Sequence, residues 1–215
     1  MVKTKNKVYA YCIFNKNKKI IKSGIVYTWD ECENIVTGKK ARYKSFKNEQ
    51  EADEWLKSGA EYESKKEKKE NLYAELEEEA IYFDSGTGRG KGVEVRLTNF
   101  YGESLLYKII NSSKLNEYGN YYLGEGRTNN FGELTGFFIA IKYALEYNIR
   151  TICGDSTLVI DYWSKGKYNR KSLEDDTLDL IKKVIDMRKE FENQNGTIKK
   201  ISGDVNPADL GFHKS

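Results

Sequence analysis

Four acidic side chains stand in settings that divalent-metal chemistry favours. Asp84 ends the run Ile81-Tyr82-Phe83 and is followed by Ser85-Gly86. Glu133 closes Thr128-Asn129-Asn130-Phe131-Gly132. Asp155 follows Ile152-Cys153-Gly154, and Asp209 follows Asn206-Pro207-Ala208. Carboxylates gathered at one partly buried point repel one another unless cations compensate them. Hard oxygen donors with open positions suit Mg²⁺ or Mn²⁺. Two such ions about 4 Å apart can hold an attacking water and a leaving 3′ oxygen in line, which is chemistry that cuts a phosphodiester. A single Asp at a helix start is ordinarily a cap. The joint pattern is more specific than any one member.

Other chemistries find little support. His213 is the single histidine and stands third from the end of the chain. Ser-His-Asp, Cys-His and zinc arrangements therefore have little to work with. Cys12, Cys32 and Cys153 are widely spaced. They read as reduced thiols of a cytosolic protein, so a cytoplasmic location is expected. The glycine-rich stretch 86–92 precedes a strand rather than a helix, so the dinucleotide and P-loop readings lose their context. No apolar run is long enough to span a bilayer. The basic start of the chain lacks the apolar core of a secretory signal.

The chain has 215 residues, 39% hydrophobic and 32% charged, and a net charge of only +3. The charge is uneven. Residues 1–47 hold 12 Lys or Arg against 3 acids, whereas residues 58–80 hold 4 Lys against 8 Glu. A basic head suits an anionic partner; a merely solvated lysine-rich surface is the alternative.

The elements that must position these residues can be read from periodicity. Residues 8–14 read as a strand, with 24–27 as its partner, joined by a lysine-rich turn. Thr28 can cap a helix from Trp29 to about residue 37. Residues 41–46 read as a third strand, and Asn48 with Glu51 opens a helix to Leu56. Residues 59–79 are nearly all Glu, Lys, Ala and Tyr and read as a linker, with a transient helix held by i,i+4 charge pairs as an option. Beyond it, 81–84, 93–98 and 104–110 read as three strands of an antiparallel meander. A helix over 130–147 follows, with Asn130 as its cap and Glu133 in its first turn. A strand at 150–154, helices at 156–163 and 173–192, and a strand at 197–202 complete the order. The expected class is α/β, with a mixed five-stranded sheet flanked by helices and a small α+β domain before it. The expected division is 1–58, a linker at 59–79, and 80–215.

At this point residues 80–215 resemble a type 1 ribonuclease H catalytic domain. Y-F-D-S-G-T-G, T-N-N-F-G-E-L, G-D-S-T-L-V-I-D-Y-W and P-A-D-L-G stand in that family's order. The resemblance implies an endonuclease that cuts the RNA strand of an RNA/DNA hybrid with two Mg²⁺ (or Mn²⁺), leaving 5′-phosphate and 3′-hydroxyl ends. Asp84 would bridge both ions, Asp209 would help hold the one that activates water, and Glu133 and Asp155 the one at the leaving group. Thr128, Asn129 and Asn130 would line the minor groove, where 2′-hydroxyls mark RNA. Residues 8–57 resemble the hybrid-binding, or viroplasmin-like, domain found ahead of such nucleases, through G-I-V-Y-T-W-D-E-C, A-R-Y-K-S-F-K and E-A-D-E-W. By that match Trp29, Tyr43 and Phe46 would lie against sugar or base faces, Lys44 would contact phosphate, and Tyr9 would assist. Alternation places Tyr43 and Lys44 on opposite faces, and Phe46 is the aromatic expected in the core. The partner expected is a hybrid duplex, with double-stranded RNA as an option, no membrane, and a monomeric chain.

The chain departs from the family pattern in two places. Residues 199–205 hold no histidine ahead of the last acid; Asp204, or His213 folded back, could assist product release. Asp209 sits on a short tail expected to order with metal and hybrid. Two rival functions remain open: a catalytically weak protein that binds hybrid or double-stranded RNA, and a nuclease of the same fold that acts on DNA.

Overall fold

Alternation along one central strand organises the first unit. The computed structural model describes residues 7–62, 64–87 and 92–211. The chain divides into two compact units, residues 1–65 and 66–215. In the first, β1 (Val8–Phe14) lies between β2 (Ile20–Val26) and β3 (Ala41–Phe46), antiparallel to both. Helix α1 (Trp29–Val36) sends Cys32 and Val36 against Tyr11 and Ile13. Helix α2 (Glu49–Lys57) sends Ala52 and Trp55 against Val8, Ala10 and Cys12 on the opposite face. Both helices start where polar side chains can take up free N–H groups. Thr28 and Glu31 form a capping box, and Asn48 accepts from the N–H of Glu51.

The second unit begins with α3 (Lys65–Ala74). Its sheet has β4 (Ile81–Gly86) at the centre. On one side lie β5 (Glu94–Thr98) and then β6 (Tyr121–Tyr122), each antiparallel to its neighbour. On the other lie β7 (Thr151–Gly154) and β8 (Thr197–Lys200), both parallel to β4. This is the expected mixed five-stranded sheet. Helix α4 (Asn129–Tyr147) packs on it through Leu134, Phe137 and Ile141, against Phe83, Val95 and Leu97. Helix α5 (Asp175–Asn193) adds Ile181, Val184 and Phe191 to the same core.

Three local expectations change. Residues 104–110 are not a strand: one bridge, Thr98 to Ser104, is followed by a 3₁₀ turn at Leu106–Lys108. Leu105, Leu106, Ile109 and Ile110 recur at helical rather than alternate spacing, and Leu106 is fully buried. The third antiparallel strand is β6, whose two residues are too few to show any period. The helix expected at 156–163 is a π-helical turn, Leu158–Tyr162, closed by a 3₁₀ turn at Trp163–Lys165. Buried Arg188 donates to the Ile160 carbonyl at 2.7 Å and to Ser164 Oγ at 2.6 Å, holding this widened turn. Finally, α4 is capped by Thr128, whose Oγ1 accepts from the Phe131 N–H, and Asn130 is its second residue. Glu133 therefore falls just past the first turn.

Candidate metal centre and nucleic-acid interface

Asp84 and Asp155 meet because they stand at the same level of two neighbouring parallel chains, Asp84 within β4 and Asp155 just past the end of β7. β4 and β7 pair with Ile81 opposite Ile152 and Tyr82 opposite Cys153. Two residues further along that register stand Asp84 and Asp155. Glu133 arrives from α4, which lies close on the sheet at its glycines. A Cβ at Gly132 would stand 2.4 Å from Val93 Cγ1 and 2.9 Å from Ser85 Cβ. Only a glycine lets the helix come this near. The outcome is one carboxylate oxygen each from Asp84, Glu133 and Asp155, all within 4.8 Å of one another.

The three acids are held in different ways. Asp84 is 9% exposed and accepts from the N–H of Ser85 at 2.8 Å and of Leu210 at 3.3 Å. Glu133 is 6% exposed, and its Oε2 is buried without a hydrogen-bond partner among the described residues. An orphaned, buried carboxylate oxygen is costly unless a cation completes it. Burial raises the Glu133 pKa, and the charges of Asp84 and Asp155 raise it further. Asp84 is pushed up by burial and then by Asp155, and Asp155 is pushed up chiefly by burial. The donor set is all oxygen, buried and mutually repelling, which fits Mg²⁺ or Mn²⁺. Gly203 lets the chain pass close to Asp155, since a Cβ there would come 2.7 Å from Asp155 Oδ2.

Asp209 stands outside this trio but near it. Its charge acts on both Asp84 and Asp155. The tail that carries it is strapped down. The Asn206 side chain donates to the Phe83 carbonyl at 3.0 Å and accepts from the Ala208 N–H at 3.0 Å. Arg96 donates to the carbonyls of Gly102 at 3.0 Å and Asp209 at 3.4 Å. Asn206 and Arg96 were not singled out from sequence. The Asn-Pro pair before an acid was the available signal for the first, and none pointed to the second. Asp204 is exposed. His213 and residues 88–91 of the glycine-rich stretch lie outside the described residues.

Thr128, Asn129 and Asn130 are exposed at the start of α4. Asn129 faces the acids' strand, because Ser85 Oγ donates to its carbonyl at 3.1 Å and its Oδ1 at 3.2 Å. Asn130 lines a small cleft with Arg127, Phe131, Trp163 and Leu173. Arg127 lies over the Phe131 ring at 4.5 Å and pairs with Asp176.

In the first unit the structure gathers Tyr9, Trp29 and Tyr43. The Trp29 ring centroid lies 5.9 Å from Tyr9 and 5.5 Å from Tyr43. Trp29 is 39% exposed and Tyr43 41%, so both side chains are open to solvent. Lys44 and Phe46 are not brought to this face. Phe46 packs on Trp55 at 5.6 Å in the α2-side core, and Lys44 Nζ lies over the Phe46 ring at 5.4 Å.

Residues 18–56 match the family model of the ribonuclease H1 N-terminal domain. The match takes in Trp29, Tyr43, Lys44 and Phe46. Comparison with curated proteins finds no match. Among solved structures, ribonuclease H1 of the halophilic archaeon Halobacterium salinarum NRC-1 is similar at 20% identity, over 60% of this chain and 89% of that one, with a TM-score of 0.36. The N-terminal ribonuclease H domain of a Mycobacterium tuberculosis protein, fused to maltose-binding protein, is similar at 16% identity, over 57% of this chain and 78% of that one, with a TM-score of 0.32.

Proposed function

We propose that this chain is a ribonuclease H, an endonuclease that hydrolyses the RNA strand of RNA/DNA hybrids and leaves 5′-phosphate and 3′-hydroxyl ends. The observation that carries the reading is the trio Asp84, Glu133 and Asp155, delivered by three separate elements to one point, with Glu133 Oε2 left without a hydrogen-bond partner among the described residues. The ribonuclease H1 N-terminal match at residues 18–56 supports a hybrid as the substrate.

On this reading residues 1–58 bind the duplex, 59–79 connect, and 80–215 cut. Asp84, Glu133, Asp155 and Asp209 would hold two Mg²⁺ or Mn²⁺. When bound, such ions supply Lewis-acid activation of water and neutralise charge on the leaving oxygen. The chain's own part is to fix the carboxylates before substrate arrives. Ser85 and Leu210 orient Asp84, and the Asn206 strap sets the path of the chain into Asp209. Thr128, Asn129 and Asn130 stand exposed beside Ser85, where they can meet 2′-hydroxyls. Tyr9, Trp29 and Tyr43 offer ring faces to sugars and bases without reading sequence. Lys44 lies on the other face, where it can reach phosphate only from a second direction.

The test is cleavage of a labelled RNA/DNA hybrid in Mg²⁺ or Mn²⁺, with EDTA, all-DNA duplex and single-stranded RNA as controls. Metal-dependent cutting of the hybrid alone is expected. Asp155→Asn should abolish turnover, by at least about 100-fold, while keeping hybrid affinity. Full activity in that variant would sink the assignment of the acids. Cutting of all-DNA duplex would instead favour a DNA nuclease, and no cutting under either metal would favour a pure binding protein.

A further inference from the structure

Tyr43 stands on an edge strand. β3 pairs with β1 on one side, and no strand lies on its other side among the described residues. The Tyr43 main chain faces that outer side. Its N–H donates to Tyr62 Oη at 2.8 Å, and the Tyr62 hydroxyl donates back to the Tyr43 carbonyl at 2.9 Å. Antiparallel strands exchange just these two bonds at a hydrogen-bonded residue pair. Here one phenol hydroxyl makes both, standing in for a missing strand.

The phenol is itself held. The Tyr62 ring lies 5.9 Å from that of Trp55, on the α2 side of the sheet. The Trp55 indole donates to the Glu61 carbonyl at 2.6 Å, and Arg42 donates to the Ala60 carbonyl at 3.2 Å. Ala60 is fully buried. Residues 60–62 thus buckle onto β3, although they follow the end of the family match at residue 56.

We propose that Tyr62 is a positioning residue for duplex binding, fixing the main chain beneath Tyr43 and so the Tyr43 ring against Trp29. The inference rests on the duplex-binding reading of the Tyr9, Trp29 and Tyr43 face given above. An edge strand without a partner is free to twist and fray. Among the described residues, Trp29 is the aromatic ring that lies beside the exposed Tyr43 ring. The angle at which that ring meets a duplex is therefore set from below, by the main chain, and Tyr62 closes the one open side. The Tyr62 ring lies on Trp55, so it acts through Tyr43.

A double-mutant cycle in the full chain tests this, carried in the Asp155→Asn background so that hybrid is bound and not cut. Tyr62→Phe keeps the ring on Trp55 and removes only the hydroxyl. It is expected to weaken hybrid binding about fivefold. In Tyr43→Ala, where no ring remains to be positioned, Tyr62→Phe should change affinity less than about 1.5-fold. It should still lower the melting temperature equally in both backgrounds, because the main-chain bonds survive Tyr43→Ala. Equal weakening in both backgrounds, or no weakening where Tyr43→Ala alone weakens binding, overturns the positioning role and leaves the duplex-binding reading intact. Unchanged affinity in Tyr43→Ala overturns that reading and the inference with it.

Discussion

Glu133 concentrates the site's electrostatic cost in one side chain. The raised pKa values mean that the folded protein without metal keeps protons that an unfolded chain has released. Free carboxyls titrate near about 4. Above that pH the unfolded chain holds fewer protons than the folded one, so stability falls as pH rises. The decline runs up toward the folded values, about 7 for Asp84 and about 9 for Glu133. In EDTA, calorimetry should therefore find a lower melting temperature at pH 8 than at pH 6. Mg²⁺ or Mn²⁺ should restore more stability at pH 8 than at pH 6. A metal effect that ignores pH would show that the acids do not share one field. Glu133→Gln removes the need to keep this carboxyl protonated in the fold, and metal-free stability at pH 8 should rise by about 1–3 kcal/mol. The same variant should lose hybrid cleavage. A more stable, inactive protein is the expected signature of a residue retained for function.

At the scale of elements, the site depends on how closely α4 and the tail approach β4. Gly132→Ala would drive a methyl into Val93 and Ser85. Overpacking of that kind costs about 1–3 kcal/mol and should lift Glu133 away from Asp84, seen as lost activity beyond the loss of stability. Asn206→Ala removes two bonds of the strap, one of them to the buried Phe83 carbonyl. It should cost about 1–3 kcal/mol, and the Mg²⁺ concentration for half-maximal cleavage should rise. An unchanged metal midpoint would mean that the strap does not govern Asp209. Much of this frame was legible in the sequence. β1 and β3 follow from short runs rich in aromatic and other strand-forming residues, and Thr28 announces α1. The Asp84, Glu133 and Asp155 settings each lie in or beside an element that local chemistry marks, although β4 runs on past Asp84 to Gly86. What was not legible depended on long-range contacts. β6 exists because β5 offers it an edge, not because Tyr121 and Tyr122 demand extension. The π turn at 158–162 exists because Arg188, far along the chain, takes up its carbonyl. Arg96 meets Asp209 across 113 residues, and no local pattern encodes such a meeting.

On the scale of the whole molecule, the proposed function assigns binding and cutting to two compact units, which a truncation can separate. Because residues 60–62 belong structurally with β3, the informative truncation removes residues 1–65 rather than 1–58. The remaining 66–215 should still cleave hybrid, with KM raised about tenfold or more and kcat within about threefold. Its affinity should also depend less steeply on salt, since the lysine-rich head is gone. Equal KM and equal salt slope for both forms would remove the binding role of the first unit. Each sheet also has two outer strands, and these differ in how open they are to another chain. β6 has two residues, β8 carries Lys199 and Lys200, and the outer edge of β3 is taken up at Tyr43 by Tyr62. Short, charged or covered edges resist unwanted strand addition. β2 is the exception, with Ile20 49% and Ile21 63% exposed on an outer strand flanked by Lys19 and Lys22. Solubility of the concentrated protein should accordingly hinge on this one strand, and charge screening by salt, which silences those two lysines, should lower it.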